Sequence, residues 1–150
     1  MLKKTAIIEP VFEKEAFMAN MRRDEKEGVG KTAEDYLEAI LMIKERQGYV
    51  RSVDIADQLG ITKPSVTYTT KRLKEAGYIT NDHAGMIVLT DSGMKIADAT
   101  YTRHKKLTEF LTGLGVNPET AREDACRIEH DLSDESFQAI CDHVNKHMTK

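Results

Sequence analysis

Residues 52–78, SVDIADQLGITKPSVTYTTKRLKEAGY, constrain this chain more than any other stretch. The spacing predicts two short helices around a tight turn. Ser52 stands where it can cap the first, and Val53, Ile55, Ala56 and Leu59 include the i, i+3/i+4 spacing of a packed face. Gly60 follows where a helix end needs a residue tolerant of positive φ. Thr62 then caps a second helix with Pro64 in its first turn, where a missing N–H does no harm. That helix is expected to bury Val66, Thr70 and Leu73 and to stop at Gly77. Its opposite face carries Lys63, Ser65, Thr67, Tyr68, Lys71, Arg72 and Lys74. Two helices about a glycine-bearing turn, the second polar and basic, form the pattern of a DNA-binding helix-turn-helix. An ordinary helical hairpin inside another α domain shares much of that pattern.

Charge placement sharpens the choice. The net charge of −3 argues against a protein that coats nucleic acid indiscriminately. Yet residues 51–75 hold five basic side chains (Arg51, Lys63, Lys71, Arg72, Lys74) against three acids, a net of +2. Residues 109–142 hold nine acids against Arg122 and Arg127, a net of −7. A basic front and an acidic back suit phosphate at one end and cations at the other. With 150 residues the chain can bury one good core, or a small DNA-binding unit and a helical partner module. No apolar run approaches a membrane span, and residues 1–10 lack a signal-peptide core. Cys126 and Cys141 suggest no disulfide framework, so a reduced, cytoplasmic chain is the expectation.

Around the helix-turn-helix the chain reads as mainly α with one small β-hairpin. Pro10 stands where it can open a helix carrying Val11, Phe12, Ala16, Met18 and Ala19, and residues 22–31 read as a solvated linker. This extension, 1–31, has no role legible in its residues: docking, exchange with a second subunit and mobility all fit it. A helix is expected from Thr32, whose TAED start resembles a capping box, with Tyr36, Leu37, Ile40, Leu41 and Ile43 on its apolar face. Residues 49–51 form an extended link. After Gly77, YIT and MIVLT flank NDHAG as a hairpin whose tip carries Asn81, Asp82 and His83. Three helices followed by a hairpin is the order of a winged helix, expected over 32–90. From Thr90-Asp91-Ser92 a long helix keeps its period through Met94, Ile96, Ala97, Tyr101, Leu107, Phe110 and Leu111, a rod of roughly 30 Å. Pro118 opens a helix to His130, and Ser133 caps another with Phe137, Ile140, Cys141 and Val144 on one face. These short helices are expected to pack against a second copy of the chain, making 91–150 a linking helix and dimerisation module.

A second constellation consists of potential metal ligands. Cys126, Glu129 and His130 sit at i, i+3 and i+4, and Asp35 and Glu38 at i, i+3 on the first helix. His104 lies midway along the long helix. Nitrogen and oxygen donors with one sulfur form a plausible set for Mn²⁺, Fe²⁺, Co²⁺ or Zn²⁺. Each piece alone is weak: such a cluster on an acidic helix is most often a solvated face, and acids in a helix's first turn commonly serve the dipole. Cys126 is readable as a bystander thiol, Cys141 as core packing, and Tyr68 as packing against the wing. His83, His143 and His147 read as exposed.

The order TAEDYLEAI, SVDIADQLGITKPSVT, GMIVLTDSGMKIA, YTRHKKL and ACRIEHDLSDE resembles the diphtheria-toxin-repressor (DtxR) and manganese-repressor (MntR) family over residues 32–143. The resemblance implies a winged-helix DNA-binding domain joined to an α-helical dimerisation domain. It also implies a metal held between the first helix, the linking helix and the ligand helix. Carried over by position, the ligands are Asp35, Glu38, His104, Cys126, Glu129 and His130. Asp35 matches the manganese branch and Cys126 the iron branch, so the set is a hybrid. Thr108 and Arg122 stand where the iron branch has a glutamate and a histidine, which implies an incomplete ancillary site. The expected cofactor is therefore one principal ion, Fe²⁺ or Mn²⁺, with Zn²⁺ or Co²⁺ binding in vitro. The chain ends without the SH3-like domain of longer members, and regulation through it is not expected.

The implied function is a metal-dependent transcriptional regulator, a repressor of metal-uptake genes, acting as a homodimer on a palindromic operator. The ion serves as co-repressor by fixing the reading heads. Thr62, Pro64, Ser65, Thr67 and Tyr68 are expected to face base edges. Arg51, Lys63, Lys71, Arg72 and Lys74 are expected on phosphates. Two competitors come from other classes. A winged-helix regulator indifferent to metal would keep the DNA face and show no response to chelator. A small metallohydrolase would use Glu129 or Glu38 as base, but no nucleophile motif or phosphate-cradling loop supports an enzyme.

Overall fold

The structure, a computed structural model, describes residues 30–148. The helix expected after Pro10 and most of the linker expected over 22–31 lie outside the described residues. The chain divides into two compact units between Asp98 and Ala99.

The first unit opens with α1 (Lys31–Gln47), α2 (Ser52–Leu59) and α3 (Lys63–Glu75). In α1, Tyr36, Leu37, Ile40, Leu41 and Ile43 are buried, as their period predicts. Its start differs from expectation. The Gly30 carbonyl accepts the Glu34 N–H at 3.0 Å, so helix begins at Lys31 and Thr32 is buried inside the first turn rather than capping it. The start of α2 also differs: Ser52 is already helical, because the Asp54 carboxylate accepts the Arg51 backbone N–H at 2.9 Å and takes over the capping. Val53, expected on the packed face, is exposed.

Gly60 ends α2 with φ +69, the left-handed conformation that lets the chain reverse into α3. Thr62 caps α3 by accepting the Ser65 N–H, with Pro64 in the first turn as expected. The buried stripe of α3 is Val66, Thr69 and Leu73 rather than one through Thr70. Thr70 lies on the flank of that stripe, where its hydroxyl pairs with the Tyr36 phenol.

The hairpin follows as β1 (Ile79–Asn81) and β2 (Ile87–Leu89), antiparallel with Ile79 opposite Leu89. Buried Ile79 and Ile87 face the helices. The Val50 carbonyl accepts the Ile87 N–H at 2.9 Å, which ties the link between α1 and α2 to the hairpin. At the tip, the Asp82 carboxylate accepts the Ala84 and Met86 N–H groups, both at 2.9 Å. Three helices and a two-stranded hairpin in this order form the winged helix-turn-helix that the sequence predicts.

Burial of Tyr36 carries a pH signature. Loss of solvent pushes its phenol up to about 12 from an ordinary 10, against the smaller opposing pull of the Thr70 hydroxyl. A folded-state value above the unfolded one means stability that is intact below pH 10 and lost as pH rises toward 12. Tyr36→Phe removes the hydrogen bond to Thr70 and should be less stable than wild type near neutrality. The gap should narrow by about 1 kcal/mol at one pH unit above the ordinary phenol value. Urea unfolding at both pH values checks this, and a constant gap would count against it.

α4 (Asp91–Gly113) begins in the first unit and continues into the second, about 35 Å of helix at 1.5 Å per residue. The Thr90 hydroxyl accepts the Gly93 N–H at 3.2 Å, in line with the start expected at Thr90-Asp91-Ser92. The first turn of α4 packs on residues 77–78 within the first unit. There Thr90 and Ser92 hydroxyls donate to the Gly77 carbonyl at 2.7 and 3.1 Å.

The second unit continues with α5 (Pro118–Ile128), α6 (Asp134–His143) and a π-helical turn, Val144–Met148. Asn117 caps α5 through the Glu119 N–H at 2.9 Å, and Ser133 caps α6 through the Ser136 N–H at 3.1 Å. Leu107, Ala121, Ala125 and Val144 are fully buried, but α6 buries none of its side chains completely. Phe137, Ile140 and Cys141 remain half-buried, and Leu114 is 60% exposed. Such incomplete cover is what a module designed to meet a second surface leaves open.

Candidate metal centre and nucleic-acid surface

In the second unit the C-terminal end of α5 carries the donors. The sequence reading continues this helix to His130, whereas regular helix ends at Ile128. Glu129 is the C-cap, its N–H bonded to the Ala125 carbonyl at 3.0 Å, and His130 lies in the turn beyond. Cys126 is half-buried one turn earlier and forms no disulfide. The Glu129 side chain is completely buried. One of its oxygens lies 3.3 Å from His104 Nδ1 and the other 3.3 Å from His130 Nε2. Neither oxygen accepts a properly aligned hydrogen bond from any described residue, and His104 Nδ1 makes none.

That arrangement is costly for a bare carboxylate. Burying an ionised group without hydrogen bonds costs several kcal/mol, on the order of the stability of a small domain. An imidazole nitrogen beside each oxygen of a buried carboxylate, with hydrogen-bond geometry unmet, instead suits donors open to a cation. The residues present therefore fit a divalent transition-metal ion. In the first unit, Asp35 and Glu38 share a face of α1, with Asp35 half-buried and Glu38 buried. A glutamate only 5% exposed in a helix of apolar neighbours is itself unusual.

Sequence reasoning passed over Arg103. Its guanidinium donates to the backbone carbonyls of Glu129 and Leu132, at 3.0 and 2.8 Å. Arginines on long helices are ordinary, and nothing in its neighbours along the chain marks this one.

The other candidate surface is α3. Lys63, Pro64, Thr67, Lys71 and Lys74 are exposed, at the spacing of one helix face. Tyr68 and Arg72 are half-buried, with the Arg72 guanidinium 5.8 Å from the Tyr68 ring centre. Two base-facing expectations need correction. Ser65 is completely buried: its N–H donates to the Thr62 hydroxyl, which in turn donates to Ser65 Oγ at 3.0 Å. Thr62 is exposed, but its hydroxyl is committed to that cap. The physical reason is the helix start: the Thr62 hydroxyl accepts the orphan Ser65 N–H there and donates to Ser65 Oγ, which holds that oxygen at the cap. Arg51 is exposed with its fork on the Asp54 carboxylate, at 3.1 and 3.0 Å, so a phosphate there competes with Asp54. Asn81, Asp82 and His83 are exposed at the hairpin tip, as expected.

Residues 29–85 match the family described as iron dependent repressor, N-terminal DNA binding domain. Residues 90–150 match its metal binding and dimerisation domain. The chain belongs to the iron-dependent repressor family. Within this family of metal-dependent transcriptional repressors, it is 37% identical to the transcriptional regulator MntR of Salmonella typhimurium over 116 residues, 77% of this chain and 74% of that one. It is 39% identical to the HTH-type transcriptional regulator MntR of Oceanobacillus iheyensis over 112 residues, 75% of this chain and 76% of that one.

Among solved structures, a manganese-dependent transcriptional repressor in complex with manganese superposes with TM-score 0.69 at 31% identity. It covers 75% of this chain and 52% of that one. The manganese regulator SloR superposes with TM-score 0.66 at 26% identity, covering 75% of this chain and 53% of that one. The chain thus spans about half the length of these solved repressors. Its α3 lies in the family's DNA-binding domain and its α5 in the family's metal-binding and dimerisation domain. Among the described residues, no helix is long and apolar enough to cross a membrane.

Proposed function

We propose that this chain is a cytoplasmic metal-responsive repressor of metal-uptake genes, binding a palindromic operator as a homodimer with Fe²⁺ or Mn²⁺ as co-repressor. The observation that carries this reading is the buried Glu129 carboxylate with an imidazole nitrogen at 3.3 Å from each oxygen, on a chain of this family. Similarity to a repressor solved with manganese supports the choice of ion.

The ligand set proposed is Asp35, Glu38, His104, Cys126, Glu129 and His130. Glu129 supplies a buried carboxylate, and His104 and His130 supply neutral nitrogen donors. Asp35, Glu38 and Cys126 are included on the resemblance of their motifs. When bound, a divalent ion supplies the positive charge that lets these carboxylates share one site. Without a counter-charge the carboxylates repel, and the two α3 helices of a dimer sample spacings that miss successive major grooves. The ligand residues couple to DNA only through their differential stability in the two states. By linkage, operator DNA should tighten metal binding by the same factor. Thr67, Pro64 and Tyr68 are the residues proposed to meet base edges. Lys63, Lys71, Arg72 and Lys74 are proposed on phosphates, together with Arg51 once Asp54 releases it.

Lys71→Ala should weaken binding on all DNA sequences and flatten the salt dependence by about one in log–log slope. Affinity measured across a range of salt concentrations checks this, and an unchanged slope would remove Lys71 from the phosphate contacts. The reading as a whole is tested by stripping the protein with chelator and titrating it anaerobically with Mn²⁺ and Fe²⁺. Binding to a palindromic upstream DNA fragment is then measured. A tenfold or greater gain with one ion, about 1.4 kcal/mol of coupling, supports the proposal and names the ion. Unchanged affinity with both ions would leave the DNA-binding face and remove the co-repressor.

A further inference from the structure

The geometry points to Arg103 as a positioning residue for the metal centre, one that holds the backbone at Glu129 against α4 so that Glu129 and His104 stand together before an ion arrives. This rests on the metalloregulator reading above and extends it to a side chain that donates nothing to a cation.

Arg103 immediately precedes His104 on α4. Its Nε donates to the Glu129 carbonyl at 3.0 Å and its Nη2 to the Leu132 carbonyl at 2.8 Å. A helix leaves its last carbonyls without intrahelical donors, and α5 ends here, with Glu129 as its C-cap. A guanidinium suits this place better than an ammonium. Its planar fork reaches two acceptors at once, and its fixed charge favours the negative end of the helix dipole.

The guanidinium is itself held in place. Its Cζ lies 4.6 Å from the centre of the Phe137 ring, and Nη1 lies 3.4 Å from an Asp134 carboxylate oxygen. The side chain is 18% exposed. One residue thus ties α4 to the end of α5, to the turn that follows and to the first turn of α6.

The consequence falls on the donors. The Glu129 carboxylate accepts no aligned hydrogen bond from any described residue, and its side-chain neighbours are the two imidazoles at 3.3 Å. Its place, 3.3 Å from His104 Nδ1, depends on where its own backbone is held. Arg103 holds that backbone from the residue next to His104. Both donors are therefore referred to the same turn of α4. Outer contacts of this kind commonly alter metal affinity by about 10- to 100-fold when removed.

The test uses the full chain and Co²⁺ as probe, because its visible absorption reports ligand geometry directly. Arg103→Met keeps an apolar stem and removes both carbonyl bonds, whereas Arg103→Lys keeps the charge without the fork. Arg103→Met should weaken Co²⁺ binding about tenfold or more and change the absorption spectrum. It should also speed amide exchange over residues 129–133 in the metal-free protein. Arg103→Lys should fall between it and wild type.

A folded Arg103→Met with wild-type affinity and spectrum would overturn the proposal. If Arg103→Met does not fold, Arg103→Lys decides, and its equality with wild type overturns the proposal in the same way. A wild-type chain that binds no Co²⁺, Mn²⁺ or Fe²⁺ brings down the metalloregulator reading as well. Binding by wild type with equal binding by the variants brings down the role of Arg103 alone.

Discussion

His130→Ala should abolish metal-stimulated DNA binding while leaving the helical content of the chain unchanged. The His130 side chain is 3% exposed, with Nε2 3.3 Å from a Glu129 oxygen. The substitution removes one nitrogen donor and leaves that buried oxygen with an apolar neighbour. Loss of an outer contact typically costs 10- to 100-fold in metal affinity, and loss of a ligand should cost at least about that much. His130 lies beyond the regular end of α5, so alanine there breaks no helix ladder.

DNA affinity measured with and without Mn²⁺, together with circular dichroism, separates the two parts of the expectation. Metal-free binding should match the metal-free wild type, because the exposed cationic face of α3 is untouched. Full stimulation retained by a folded variant would remove His130 from the ligand set.

Gly93→Ala should destabilise the winged-helix unit by about 3 kcal/mol, the upper range for forcing extra atoms into a packed contact. A Cβ on Gly93 would lie 2.0 Å from the Tyr78 carbonyl oxygen and 3.0 Å from its carbon. Those are backbone atoms, which no rotamer change can move aside. The same Tyr78 carbonyl accepts the Thr90 N–H at 3.0 Å, and the Gly77 carbonyl accepts the Thr90 and Ser92 hydroxyls. Relief of the clash therefore pulls apart a cluster of hydrogen bonds, each contributing about 1 kcal/mol net.

A loss of that size in a domain of under 100 residues lowers the thermal midpoint by roughly 10–20 °C. Calorimetry checks it. An unchanged midpoint would show that the first turn of α4 is not docked on residues 77–78 in solution.

These two substitutions mark different limits of what is legible in residues alone. The motif around His130 is visible as spacing, although a solvated face is the commoner reading of such a cluster on an acidic helix. The importance of Gly93 was not visible at all. Its backbone is not in a conformation reserved for glycine, and the atom it must avoid belongs to a residue 15 positions earlier. Ser65 shows a third case. Its type and spacing fitted a base-facing residue, and only the way the cap of α3 closes turned its hydroxyl inward.

Sequence alone determined the order of helices and hairpin, the Thr62 and Ser133 caps, the turn at Gly60 and the burial of Tyr36, Leu37, Ile40, Leu41 and Ile43. Each depends on interactions within a few residues or on a repeated apolar spacing, and such information is local. Tertiary structure alone decided that Glu129 is stripped of solvent, that His104 faces it, and that Arg103 grips its carbonyl from 26 residues away. A carboxylate on an amphipathic helix looks the same in sequence whether it meets water or imidazole. What distinguishes the two is desolvation, which exists only once distant segments have packed.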